Sequence, residues 1–88
     1  KNKTNMAKII YFTAPWCGPC KALGPTMEKL SQSIPVHKVN IDNDSEKSAH
    51  YGVRNVPTLI KVDAQNNDMG GRIVGVRSEQ EILNWFNG

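Results

Sequence analysis

Both cysteines of this 88-residue chain fall within one stretch, Ala14-Pro15-Trp16-Cys17-Gly18-Pro19-Cys20-Lys21, and its neighbours on either side constrain the fold more than any other feature. Before it runs Ala7 to Thr13 (Ala-Lys-Ile-Ile-Tyr-Phe-Thr), β-branched and aromatic with hardly a polar break, as a strand covered on both faces requires. After it, Leu23, Met27, Leu30 and Ile34 recur at spacings of four, three and four, an apolar stripe along a helix from about Cys17 to Gln32. Two thiols separated by two residues can close a small disulfide ring, and at a strand-to-helix junction such a pair reads as a redox motif rather than a structural staple.

The rest of the chain follows from that junction. Pro25 lies inside the helix, where it removes a backbone donor and should kink it, and Pro35 is expected to stop it. Val36 to Ile41 alternates as a second strand, and the long helical crossover before it favours parallel pairing with the first. Asn43, Asp44 and Ser45 are N-cap candidates for a short helix through Tyr51, closed by Gly52. Pro57 to Val62 is the third strand. Ala64 to Gly71 is a turn-rich linker that returns the chain antiparallel as Arg72 to Val76. Ser78 and Glu81 form a Ser-x-x-Glu capping box for a last helix whose apolar face is Ile82, Leu83 and Phe86, with Trp85 nearby. The expected fold is therefore a single α/β domain over residues 1–88, in the order βαβαββα.

Composition narrows the function. A net charge of +3, spread over lysines and arginines that never form a run, gives no phosphate-binding patch, so nucleic acid is not an expected partner. No stretch approaches the roughly 18 apolar residues of a membrane span, and Lys1 to Asn5 have no apolar segment behind them, which leaves the cytoplasm as the expected compartment. Residues 1–6 are expected to be disordered or a tag remnant, with Met6 a candidate start. Structural zinc wants four ligands, and Cys17, Cys20, His37 and His50 match no finger spacing, so no metal is expected.

The motif Trp16-Cys17-Gly18-Pro19-Cys20-Lys21 resembles the active-site segment of the thioredoxin family. The likeness extends over roughly residues 9 to 86: Pro25 matches the family's helix proline, and Val36-His37-Lys38-Val39-Asn40-Ile41-Asp42 resembles its Val-x-Lys-x-Asn-Ile-Asp strand. Tyr51 to Leu59 resembles its Tyr-Gly-Val-x-x-x-Pro-Thr segment with a cis-proline, and Gly75 matches its glycine after the last hairpin. The resemblance implies a three-layer α/β/α fold with a four-stranded mixed sheet of order 2-1-3-4. It also implies a protein-disulfide reductase cycling between dithiol and Cys17–Cys20 disulfide, with no bound cofactor, acting as a monomer on disulfide-containing proteins and recycled by a flavin-containing thioredoxin reductase using NADPH.

Within that reading Cys17, in the first helical turn where unpaired amides favour an anion, is the nucleophile, and Cys20, one turn deeper, resolves the mixed disulfide. Trp16, Gly18, Pro19, Val56, Pro57 and Gly75 are the expected substrate-contacting residues, Val56-Pro57 as a cis peptide facing Cys17. Lys38 is a candidate for tuning Cys20. Three departures from the family pattern stand out. The strand and helix usual before the first strand are not expected within these residues, so the expected likeness is to a minimal member. Thr13 stands where a tryptophan is usual, and Tyr11 where an aspartate usually helps move the proton of the second cysteine. Two further readings compete: a glutaredoxin-like glutathione-dependent oxidoreductase, disfavoured because Gly70-Gly71 precede a strand rather than the last helix, and a non-catalytic interaction module.

Overall fold

A computed structural model describes residues 7–88, so the expectation for residues 1–6 lies outside the described residues. The elements follow in the order β1 (Lys8–Thr13), α1 (Gly18–Leu30), β2 (Val36–Asn40), α2 (Ser45–His50), β3 (Thr58–Val62), β4 (Asp68–Val74) and α3 (Glu79–Asn87). They build one sheet of order β2-β1-β3-β4. β1 runs parallel to β2 from Ile9 opposite Val36 to Thr13 opposite Asn40, and antiparallel to β3 from Lys8 opposite Val62 to Phe12 opposite Thr58.

Period-two alternation along β1 explains its nearly unbroken apolar run. Ile9 and Tyr11 face one side, packed with Leu23, Met27 and Leu30 of α1 and Ile82 and Phe86 of α3. Ile10 and Phe12 face the other, packed with Val39, Ile60 and Val62 and flanked by Tyr51, Val53 and Val56 around α2. Both faces are covered, so polar residues have no place between them. Fully burying each such side chain contributes on the order of 1.5–3 kcal/mol, which makes β1 the anchor of the domain.

Helix α1 ends two residues earlier than its apolar stripe suggests. The Ser31 hydroxyl donates to the Glu28 carbonyl (2.6 Å), and the amides of Gln32, Ser33 and Ile34 turn back onto the Lys29 and Leu30 carbonyls. Turn bonds, rather than Pro35, stop the helix, and Ile34 still reaches the core.

The last strand differs more. It starts at Asp68 rather than Arg72 and ends at Val74 rather than Val76, taking Gly70 and Gly71 inside it. Arg72 stands opposite Ile60 and Asp68 opposite Val62, so three residues of β4 oppose Lys61 alone. This bulge needs left-handed backbone at Gly70 (φ 90°) and Gly71 (φ 71°), which glycine adopts without steric cost. The turn before it is closed by Asp63, whose carboxylate accepts from the amides of Gln65 and Asn67 (2.9 Å each). α3 opens on the expected capping box: Ser78 Oγ accepts from the Glu81 amide and Glu81 Oε1 from the Ser78 amide.

Candidate active site

Three chain segments meet at one end of the sheet: the β1–α1 junction, the loop into β3 with its cis Val56–Pro57 bond, and Gly75 just beyond β4. Cys17 and Cys20 are joined as a disulfide. Both are buried, 5% and 3% exposed, against Ala14, Ile41 and Val56. Cys17 Sγ lies 3.5 Å from the Val56 carbonyl oxygen, and the Gly75 amide donates to the Pro57 carbonyl (2.9 Å), which fastens the third segment to the second.

Cys17 is the N-cap of α1, and its sulfur accepts the Cys20 amide proton at 3.1 Å, the place a serine hydroxyl takes in an ordinary cap. Gly18 and Pro19 fill the first turn, where the amide that Pro19 lacks would have no partner inside the helix. No acidic residue occupies that turn. A negative charge on Cys17 Sγ would therefore meet a donated amide and the positive end of the helix dipole.

Trp16 stands 66% exposed beside the disulfide, and its indole Nε1–H is shared between Asp42 Oδ1 (3.2 Å) and Oδ2 (3.1 Å). The sequence reading missed Asp42. Its signal was topological: Trp16 lies three residues beyond Thr13 and Asp42 two beyond Asn40, and those strand ends are partners in the sheet. Val74 and Val76, on either side of Gly75, are also exposed apolar side chains. Gly75 itself holds φ 95°, a conformation that strains any residue with a Cβ.

Beneath Cys20 a cavity of about 390 Å³ is lined by Tyr11, Thr13, Cys20, Lys21, Lys38 and Asn40 among others. Tyr11, only 4% exposed, donates its hydroxyl to the Cys20 carbonyl oxygen (3.4 Å). Lys38 is exposed and stands opposite Tyr11 in the β1–β2 register. Among the described residues no carboxylate lines this cavity. His37 and His50 are exposed and take no part in the site, and among the described residues no group of three His, Cys, Asp or Glu side chains could hold a metal ion.

A family model for thioredoxin matches residues 2–88. The thioredoxin of Rickettsia typhi is 32% identical over 89 residues, covering 97% of this chain and 83% of the relative. That of Chlamydia caviae is 39% identical over 83 residues, covering 90% and 78%. In three dimensions the chain is similar to a mutant thioredoxin from Halobacterium salinarum, with a TM-score of 0.83 at 30% identity over 98% of this chain and 76% of that one. Agreement in sequence and in fold over nearly the whole chain, with a cysteine pair closed at the mouth of α1, leads to one assignment: the chain belongs to the thioredoxin family and is a protein thiol–disulfide oxidoreductase.

Proposed function

We propose that the chain reduces protein disulfides, with Cys17 as attacking thiolate and Cys20 as resolving thiol. The observation that carries this reading is the N-cap: Cys17 Sγ receives the Cys20 amide at the positive end of α1, whereas Cys20 lies one turn inside. The Cys17 thiolate attacks one sulfur of the substrate disulfide. The substrate S–S bond breaks, its other sulfur leaves as a thiolate and takes a proton from solvent, and a mixed disulfide remains. Cys20 then gives up its proton and attacks Cys17 Sγ, releasing the second substrate thiol and closing the Cys17–Cys20 disulfide. Two electrons have passed from the protein dithiol to the substrate. A flavin-containing thioredoxin reductase using NADPH would restore the dithiol, so no cofactor need stay bound.

Trp16, Gly18, Pro19, Val56 and Gly75 form the substrate-facing surface, while Pro57, expected there too, has a fully buried side chain and lies behind it. Exposed Trp16 and the bare backbone at Gly75 support it, as does the Val56 carbonyl beside Cys17. Lys38 acts on Cys20 through the shared cavity, where a nearby cation favours the thiolate. With no carboxylate there, the Cys20 proton leaves to solvent rather than to an internal base, and the resolving step is the slower one. A monomer working in the cytoplasm fits this reducing role.

Trapping tests the assignment of roles. Incubated with a disulfide-bearing peptide, reduced Cys20→Ser should accumulate a covalent adduct at Cys17, seen by intact mass, while reduced Cys17→Ser should form none. An adduct only in Cys17→Ser would reverse the roles.

A further inference from the structure

The three segments that converge on the disulfide, residues 14–21, 53–58 and 74–78, carry one cation each, Lys21, Arg54 and Arg77, and no acidic residue. All three are exposed. None takes part in the two ion pairs found among the described residues, Lys29–Glu79 and Arg72–Asp68. Lys21 lines the cavity that reaches Cys20, and Arg54 lies two residues before Val56, whose carbonyl touches Cys17. Arg77 Nη1 lies 3.5 Å from where a Cβ on Gly75 would stand and donates to the Val76 carbonyl (3.1 Å), so the guanidinium lies along the backbone beside the site. Two carboxylates lie nearby. Asp42 is turned to the Trp16 indole, and Glu81 is committed to the Ser78 cap, with Arg77 adding a smaller attraction than the cap's bonds.

We propose that this rim selects polypeptide substrates with acidic residues flanking their disulfide. The inference rests on the disulfide-reductase reading and names its substrate class. Three exposed cations outside the described ion pairs, on the segments that meet at a buried reacting sulfur, raise the local concentration of an oppositely charged partner and speed encounter, with a benefit that salt removes. The apolar Trp16, Val74 and Val76 would meet the residues next to the substrate sulfurs, and the cations the flanks beyond.

The test compares two synthetic peptides with the same internal disulfide ring, one flanked by four glutamates and the other by four lysines, as substrates of the reduced protein. At low ionic strength the acidic peptide should show a kcat/KM about tenfold higher, falling below about twofold in 1 M salt. In a triple variant, Lys21→Gln with Arg54→Gln and Arg77→Gln, the ratio between the peptides should fall toward one. The ratio is internal to each protein, and the salt dependence of the unmodified chain reads the same effect without any variant. Equal reduction of both peptides, or a preference for the basic one, would overturn the acidic-substrate inference and leave the reductase reading standing. Reduction of neither peptide would overturn both.

Discussion

At the residue scale the site consists of a sulfur in a capping position above a floor of unusual composition. Cys17 and Cys20 are readable from sequence because their spacing and the strand-to-helix context sit in adjacent residues. Asp42 is not readable, since its bond to Trp16 spans 26 positions and exists only because β1 and β2 pair side by side. Asp42→Asn should weaken the hold on the indole, since a charged acceptor is replaced by a neutral one at a cost of about 1 kcal/mol. The expected readout is a higher KM for a disulfide peptide with little change in the rate of the small-molecule reaction at Cys17; an unchanged KM would show that Trp16 needs no anchor. Tyr11 is a core aromatic, 4% exposed among the side chains of β1, α1 and α3. Its hydroxyl on the Cys20 carbonyl was not foreseeable, because the strand pattern says which face a side chain takes but not what its tip meets. Tyr11→Asp would put a base where the cavity has none and should speed the resolving step in single-turnover reduction at neutral pH, while destabilising the fold. An unchanged or slower resolving step would contradict the account of the floor.

At the element scale, caps and apolar stripes carried most of the information. The Ser78–Glu81 box was legible because both partners lie within one turn, and the stripe of α1 was legible because periodicity is local. What failed was the start of β4: Gly70-Gly71 signals a turn in any local reading, and only pairing with β3 shows that the glycines serve a bulge inside the strand. Leu23→Ala, at a fully buried position of α1, should cost about 2–5 kcal/mol in chemical denaturation. Ser78→Ala should cost about 1 kcal/mol by removing the cap. That cost should depend on pH. The Ser78 backbone amide, then its hydroxyl, hold the Glu81 carboxyl below its ordinary value of 4.5. A lowered carboxyl stabilises the fold above the unfolded value, and the gain is lost as pH falls through the folded one. Ser78→Ala removes the hydroxyl's share of this and keeps the amide's, so the variant should lose somewhat more relative to the parent at pH 7 than at pH 3, and equal losses at both would show that the hydroxyl–carboxylate bond adds nothing to the cap.

At the scale of the whole molecule, sheet order and helix placement explain why one end of the domain is chemically active. β1, β2 and β3 deliver the disulfide, Asp42 and Val56–Pro57 to the same end, and β4 adds Gly75 beside Pro57. The parallel pairing of β1 with β2 was legible from the crossover through α1, because such pairing demands one, whereas the places of β3 and β4 came from the family resemblance. The distribution of charge was not legible: a net +3 scattered along the chain looks featureless until folding brings together the three segments that carry Lys21, Arg54 and Arg77. The central claim is that this disulfide belongs to an electron donor. Its reduction potential, measured by equilibration with glutathione and quantified by mass, tests that claim most directly. Reference values are about −270 mV for thioredoxin itself, about −180 mV for protein disulfide isomerase and about −120 mV for the oxidant DsbA. The account predicts a potential near the first, and a value near the last two would contradict it.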